Sequence, residues 1–301
     1  MKPDKTEAGV LLEELVPWLR AQGHTPVVTA EDQISPPGCE IVPESELGEA
    51  IDVAVVLGGD GTMLRAARLV ADHARPVLGI NLGQLGFLVG FAPSNAKQSI
   101  SDALAGRLSE TRRMRLAVTI KRHGAAPVVR CALNDTVLHQ GAMARLVEID
   151  AFVDGEFVAS YRADGLIVAT PTGSTAYNMA AGGPIVLPGQ EAMTLTPICA
   201  HALTNRPLVI GADSTIRMQL GADVRGVMIT VDAQWGHSFL AGDVVEVTTR
   251  AKPLVMYQGD KTFFDVMRDK LHWGVRGDKS GERPTRSSAE GDAKVDDKGA
   301  R

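Results

Sequence analysis

The stretch IDVAVVLGGDGT, residues 51–62, decides the fold. Residues 51–57 form a continuous, largely apolar run that ends in glycines, which suits a parallel strand buried on both faces. Working outward, Thr62 stands where it caps a helix over residues 63–73, and residues 76–80 (PVLGI) supply the next strand. Upstream, residues 26–29 read as a short strand. Over residues 5–22, Leu11, Leu15 and Leu19 recur every four positions with Leu12 and Val16 beside them, the stripe of an amphipathic helix. Pro17 falls inside that stripe. A helix-interior proline costs roughly 3 kcal/mol, so the pattern predicts a kink or an early stop there. This alternation predicts an α/β N-terminal domain, Rossmann-like and doubly wound, over residues 1–112.

Past Met114 the texture changes to short alternating runs at residues 116–121, 146–153, 157–161, 215–220, 227–232 and 244–250. Ile216, Met218 and Leu220 share one face while Arg217 and Gln219 share the other, the period of a half-buried strand. Asp154-Gly155 between two such runs is a hairpin signal. A mostly antiparallel β C-terminal domain is therefore expected over residues 113–256. Residues 263–271 read as a late helix, about 261–273 in all, that packs back on the first domain. Residues 277–301 carry Val295 as their one sizeable aliphatic side chain and are expected to form a disordered tail. No internal repeat is evident.

The 301 residues are enough for two domains with separate cores, and at 45% apolar and 22% charged they read as globular. No stretch reaches the roughly 18 consecutive apolar residues of a membrane span, so no membrane partner is expected. A net charge of −5 and a pI near 5.8 argue against nucleic acid, whose binders carry a basic stripe. Cys39, Cys131 and Cys199 are odd in number and lack metal-binding spacing, and the first residues, MKPDKTEAG, lack a secretory apolar segment. Both features point to the cytoplasm.

Three segments carry chemistry. In Gly58-Gly59-Asp60-Gly61-Thr62 the glycines let backbone N–H groups approach phosphate oxygens at the strand edge where open α/β sheets bind ligands. Asp60 repels phosphate unless it coordinates a metal or accepts a proton from an attacking hydroxyl, the profile of a phosphoryl transferase. Alone, the segment is equally a plain glycine turn. Asn134-Asp135 sits between two apolar runs; an amide beside a carboxylate reads an adenine edge or ribose hydroxyls, although the pair is also common in turns. The third segment is DGLIVATPTGSTAYN, residues 164–178, a strand running into a hydroxyl-rich turn and then a helix start capped by Ser174 or Thr175. Free N–H groups there favour an anion, and Tyr177 supplies a flat ring for a base or nicotinamide. His139 and His237 near these segments read as structural or nucleotide-contacting, and no metal-ligand spacing occurs among the seven histidines.

Taken together, GGDGT at 58–62, GINLGQLGFL at 79–88, LND at 133–135 and DGLIVATPTGSTAYNMAAGGPI at 164–185 resemble the NAD kinase family, in its order and spacing. The resemblance covers residues 4–275. It implies an enzyme that moves the γ-phosphoryl group of ATP onto the 2′-hydroxyl of the adenosine ribose of NAD. Asp60 then takes or holds the hydroxyl proton, and Gly58, Gly59, Gly61 and Thr62 face the phosphates. Asn134 and Asp135 bind adenosine, Thr175, Ala176 and Tyr177 line the dinucleotide site, and Asp164 lies on the nicotinamide side. Arg162 stands where ATP-using, NAD-preferring members from Gram-negative bacteria carry Arg, and Gln234 belongs to the substrate-binding set. The resemblance also implies a divalent ion, Mg²⁺, and a homodimer or homotetramer built through the β domain. A carboxylate is a weak base toward an alcohol, so positioning and metal charge are expected to supply most of the acceleration.

One departure stands out: family members begin with a strand before a Lys-Pro-like turn, whereas Lys2-Pro3 here follows Met1 at once. A missing central strand and poor solubility of the chain as written are the corresponding expectations. A lipid or sugar kinase with a similar glycine loop lacks the TPTGSTAY block, and a non-catalytic NAD-binding module has no need of Asp60.

Overall fold

The computed structural model describes residues 6–32, 34, 36–141, 146–221 and 226–274, so the tail expected over 277–301 lies outside the described residues. In chain order the first part comprises α1 (Thr6–Ala21), β1 (Val27–Thr29), β2 (Glu40–Val42), α2 (Leu47–Ala50), β3 (Ala54–Gly58), α3 (Asp60–Val70), β4 (Val77–Asn81), α4 (Ala96–Leu104) and β5 (Glu110–Arg113). The second comprises β6 (Leu116–Lys121), β7 (Val128–Ala132), β8 (Asp135–Gln140), β9 (Val147–Val153), β10 (Glu156–Ala163), β11 (Gly165–Ala169), α5 (Tyr177–Ala180), β12 (Ala192–Ile198), β13 (Leu208–Gly211), β14 (Ile216–Leu220), β15 (Val227–Val231), β16 (Trp235–Phe239) and β17 (Val244–Thr248). The chain then returns through β18 (Leu254–Tyr257) to α6 (Phe263–Leu271).

The apolar run that ends in the glycine loop is β3, parallel to β4 in a sheet of order β3-β4-β18-β5. Met63, Ala67 and Val70 of α3 pack on one face with Val56 and Val77. Leu15 of α1 and Ile100 of α4 close the other face over Leu57, Leu78 and Ile80. Covering both faces is what lets these strands dispense with alternation. β18 enters this sheet from the far end of the sequence and runs parallel to β4. β1 and β2 form a separate parallel pair, tied to α3 by Arg65, which binds Asp32 at 2.6 Å and Glu44 at 2.5 Å.

Two expectations of local structure need correction. α1 does not stop at Pro17; it continues to Ala21. The lost N–H leaves only the Glu13 carbonyl without its helical partner, and Glu13 and Pro17 are both exposed, so water reaches that carbonyl while buried Leu15 and Val16 hold the helix in place. Thr62 is not a helix cap: α3 starts two residues earlier, with Gly59 in extended conformation as its N-cap.

In the second part, two six-stranded antiparallel sheets of orders β10-β9-β14-β17-β6-β7 and β13-β12-β11-β8-β15-β16 enclose one core that includes Leu116, Ile149, Leu166, Met193, Ile216 and Phe239. Every residue of β11 is buried, which fits its place inside its sheet. Asp154 and Gly155 both adopt positive φ, 52° and 89°, the turn that matches strand twist in a two-residue hairpin.

Candidate active site

Asp60 is the first residue of α3, where a carboxylate interacts favourably with the helix dipole. Its Oδ2 accepts the Phe87 N–H at 3.0 Å and its Oδ1 accepts the Leu88 N–H at 3.0 Å. The close approach requires Gly86: a Cβ there would sit 2.0 Å from Oδ1. Lys270, in the last turn of α6, places Nζ 3.7 Å from Oδ2 and 5.0 Å from the centre of the Phe87 ring. The carboxylate is therefore fixed in direction, yet its side chain stays 31% exposed and open to an incoming group. The glycines beside it differ in their reason. A Cβ on Gly58 would meet Thr62 Oγ1 at 2.5 Å, a packing demand of the helix start, whereas Gly59 and Gly61 face open space.

A second group of residues forms a pocket of about 500 Å³ in the β domain, walled by Asn134, Asp135, Asp164, Ala176 and Tyr177 and, from α3, by Leu64. Leu64 lies one helical turn beyond Asp60, so the helix that begins at the glycine loop also supplies part of the pocket wall. The turn that carries Asn134 is held from below by Asp232, whose carboxylate accepts backbone N–H groups of Leu133 at 2.8 Å, Asn134 at 2.7 Å and Asp135 at 3.1 Å. It is held from the side by the Thr170–Gly173 turn. The Thr170 N–H donates to Asn134 O at 2.9 Å, and Gly173 packs so close that a Cβ would lie 2.1 Å from that oxygen.

Asp135, buried, and Asp232, partly buried, thus form an acidic pair. Burial, and then the charge of Asp232, pushes the Asp135 carboxyl from 3.8 up to about 7. Burial also raises Asp232, but three N–H donors and nearby Arg115 favour its charged form, so Asp135 is the member that keeps a proton.

The GSTAY segment differs from expectation. Neither Ser174 nor Thr175 caps a helix: residues Gly173–Thr175 form a 3-10 turn, and α5 begins after Ala176 without a side-chain cap. With only four residues, α5 offers no anion-binding dipole of consequence. Ser174 instead donates to Pro171 O and accepts the Val186 N–H, and Thr175 Oγ1 donates to Thr172 O. Buried Asn178 bonds Ser174 O and Pro184 O while accepting from Thr194 and Thr196. The hydroxyls and amide lock the turn so that Ala176 and Tyr177, the latter 48% exposed, face the pocket.

The predicted residues separate accordingly. Asn134, Asp135, Asp164, Ala176 and Tyr177 meet in the pocket; Gln234 does not line it, but follows the lining residue Ala233 and donates to Gly61 O of the glycine loop at 2.9 Å. Thr62 instead lines a small cleft with Thr29 and Arg65, and Arg162 is exposed on β10 outside the pocket lining. His139 lines the pocket, while His237 stacks on Trp235. Sequence reasoning missed Asp232, Lys270 and the N–H groups of Phe87 and Leu88. The GINLGQLGFL block marked the last two by resemblance only, and nothing local marks Lys270.

A glycine loop after a buried parallel strand, an anchored but accessible carboxylate at the start of the next helix, and a nucleoside-sized pocket to which the same helix contributes Leu64 together define the layout of a phosphotransferase. Residues 41–108 match the model of the ATP-NAD kinase N-terminal domain and residues 133–258 that of the ATP-NAD kinase C-terminal domain. The NAD kinase of Citrifermentans bemidjiense is 42% identical over 271 residues, covering 88% of this chain and 93% of that protein. The NAD kinase of Geobacter sulfurreducens is 41% identical over 265 residues, covering 87% and 93%. Among solved structures, yeast NADH kinase complexed with NADH superposes with a TM-score of 0.84 at 29% identity, over 93% of this chain and 88% of that one. An NAD kinase from Archaeoglobus fulgidus in complex with ATP gives 0.68 at 26% identity, over 87% and 93%. The chain belongs to the ATP-NAD kinase family.

Proposed function

We propose that this chain transfers the γ-phosphoryl group of ATP to the 2′-hydroxyl of the adenosine ribose of NAD, releasing NADP and ADP. The observation that carries the residue roles is the fixed orientation of Asp60, held by Phe87 and Leu88 beside a loop whose Gly59 and Gly61 leave open space for phosphates. NAD occupies the pocket of Asn134, Asp135, Asp164, Ala176 and Tyr177, with its adenosine near the 133–135 turn and Tyr177 against a ring. Asp60 accepts the hydrogen bond of the 2′-hydroxyl and aims its oxygen at the donor. Positioning dominates, as in phosphoryl transfer generally. Gln234 holds pocket and loop in register through Gly61.

Among the described residues, no group of three or more His, Cys, Asp or Glu could hold a metal ion unaided. A divalent ion that arrives on the donor's phosphates needs few protein ligands, and Asp60 retains lone pairs beyond the two N–H bonds it accepts. The residues therefore fit Mg²⁺, held by Asp60 and the nucleotide, which supplies neutralisation of phosphate charge. Assembly as a homodimer or homotetramer through the β domain is supported by exposed Val209 on β13 and Phe157 on β10, both sheet-edge strands. No helix among the described residues is long and apolar enough to cross a membrane, and Cys39, Cys131 and Cys199 are free, in keeping with action in the cytoplasm.

The test is formation of NADP from NAD, ATP and Mg²⁺, read with an NADP-dependent dehydrogenase. Asp60→Asn should still bind NAD and lose at least about two orders of magnitude in rate. Near-normal turnover by that variant removes Asp60 from the mechanism, and absence of NADP with the unaltered protein removes the function.

A further inference from the structure

A second cavity, of about 450 Å³, shares no lining residue with the proposed NAD pocket. Gly86, Phe87 and Leu88, the segment that holds Asp60, form one wall; Arg112 and Arg113 of β5 and Lys261, just before α6, form others. No Asp or Glu lines it. Lys261 is engaged by Asp269 at 2.8 Å, but the Nε of Arg113 is buried and finds no hydrogen-bond partner among the described residues. Arg112 is exposed, and among the described residues neither arginine forms an ion pair. Burial accordingly disfavours the charged form of Arg113.

A guanidinium removed from water without an anion is costly, and a cavity lined by three cationic side chains concentrates negative charge. Arginine's planar fork matches phosphate oxygens two at a time, and the apolar floor of Val89, Met256 and Val266 gives a low-dielectric setting in which such a bond strengthens. A phosphate seated there would meet the donors that the protein itself leaves unmatched.

We infer that this cavity is a binding site for a phosphate-bearing anion, with the Arg113 guanidinium as its principal partner and Arg112 at its mouth. The shared chemistry is that of a polyphosphate, brought either by the tail of a nucleoside triphosphate or by a separate phosphorylated ligand. Its neighbourhood matters for catalysis: two of the three residues of that wall, Phe87 and Leu88, carry the N–H groups bound to Asp60, so occupancy stiffens the mount of that carboxylate.

The test is calorimetric titration of the full chain with inorganic tripolyphosphate, for the unaltered protein, Arg113→Gln and Arg112→Gln. The unaltered protein should bind, Arg113→Gln should bind at least about tenfold more weakly, and Arg112→Gln several-fold more weakly. Repeating the titration with saturating ATP separates the sources: abolished binding identifies the donor's tail as occupant, and persistent binding identifies a separate phosphorylated ligand. If circular dichroism shows that Arg113→Gln does not fold, the exposed Arg112→Gln decides. No binding to the unaltered protein, or unchanged affinity in the folded variants, overturns the inference. NADP formation by the unaltered protein, assayed alongside, bears only on the function proposed above.

Discussion

Asp135 gives the sharpest quantitative test, because its environment ties a pH effect to one buried group. Its folded-state value near 7 lies above the ordinary 3.8, so the folded protein holds a proton that the unfolded chain has released. The sign follows: the stability contributed by the neutral acid is complete below about 4, falls as pH rises, and is gone once pH passes about 7. A rise from 3.8 to about 7 corresponds to roughly 4 kcal/mol in total, or about 1.4 kcal/mol per pH unit inside that window. Asp135→Asn keeps the shape and removes the titration. Urea unfolding of both proteins between pH 4 and 8 should therefore give similar stabilities at the acid end and a growing relative advantage for the variant, levelling off above pH 7. With Asp232→Asn the pH effect should move to lower pH, since one of the two causes that raise Asp135 is gone while burial remains. A stability difference between Asp135→Asn and the unaltered protein that stays constant across this range refutes the argument, because it would mean that no proton is held at the 133–135 turn.

Three further outcomes are expected. Gly86→Ala places a methyl group 2.0 Å from Asp60 Oδ1, which turns the carboxylate off its two N–H donors; kcat should drop at least about tenfold while NAD affinity, measured by calorimetry, changes little. Gln234→Ala removes one exposed hydrogen bond of 2.9 Å between pocket and loop, worth about 1 kcal/mol, and should show as a several-fold higher KM for NAD in steady-state assays. Chelation with EDTA should abolish turnover, with activity restored by Mg²⁺ and NAD affinity unaltered throughout, as expected if the ion travels with the donor's phosphates.

Much of the fold was legible because it is written in local patterns. The run before the glycines gave β3, the period-two alternation over residues 216–220 gave β14, and Asp154-Gly155 gave its hairpin. The errors were also local in origin. Propensity argued for a break at Pro17, but burial of Leu15 and Val16 outweighs one lost hydrogen bond on a wet face. Cap rules favoured Thr62 and Ser174 because hydroxyls commonly end helices; here Gly59 starts α3, and the Ser174 hydroxyl is claimed by Pro171 and Val186.

By itself the sequence determined the strands and helices whose local pattern is strong, such as β3, β4, β9, β14 and α6, and it placed a glycine loop with an acid at the end of a buried strand. Those properties depend on residues within a few positions of one another. Tertiary structure alone decided that β18 completes the first sheet, that Asp232 grips Asn134 from 98 residues away, and that Phe87, Leu88 and Lys270 surround Asp60. Such contacts arise from how buried strands pair and stack, and no spacing along the chain encodes which distant carboxylate will find which backbone N–H.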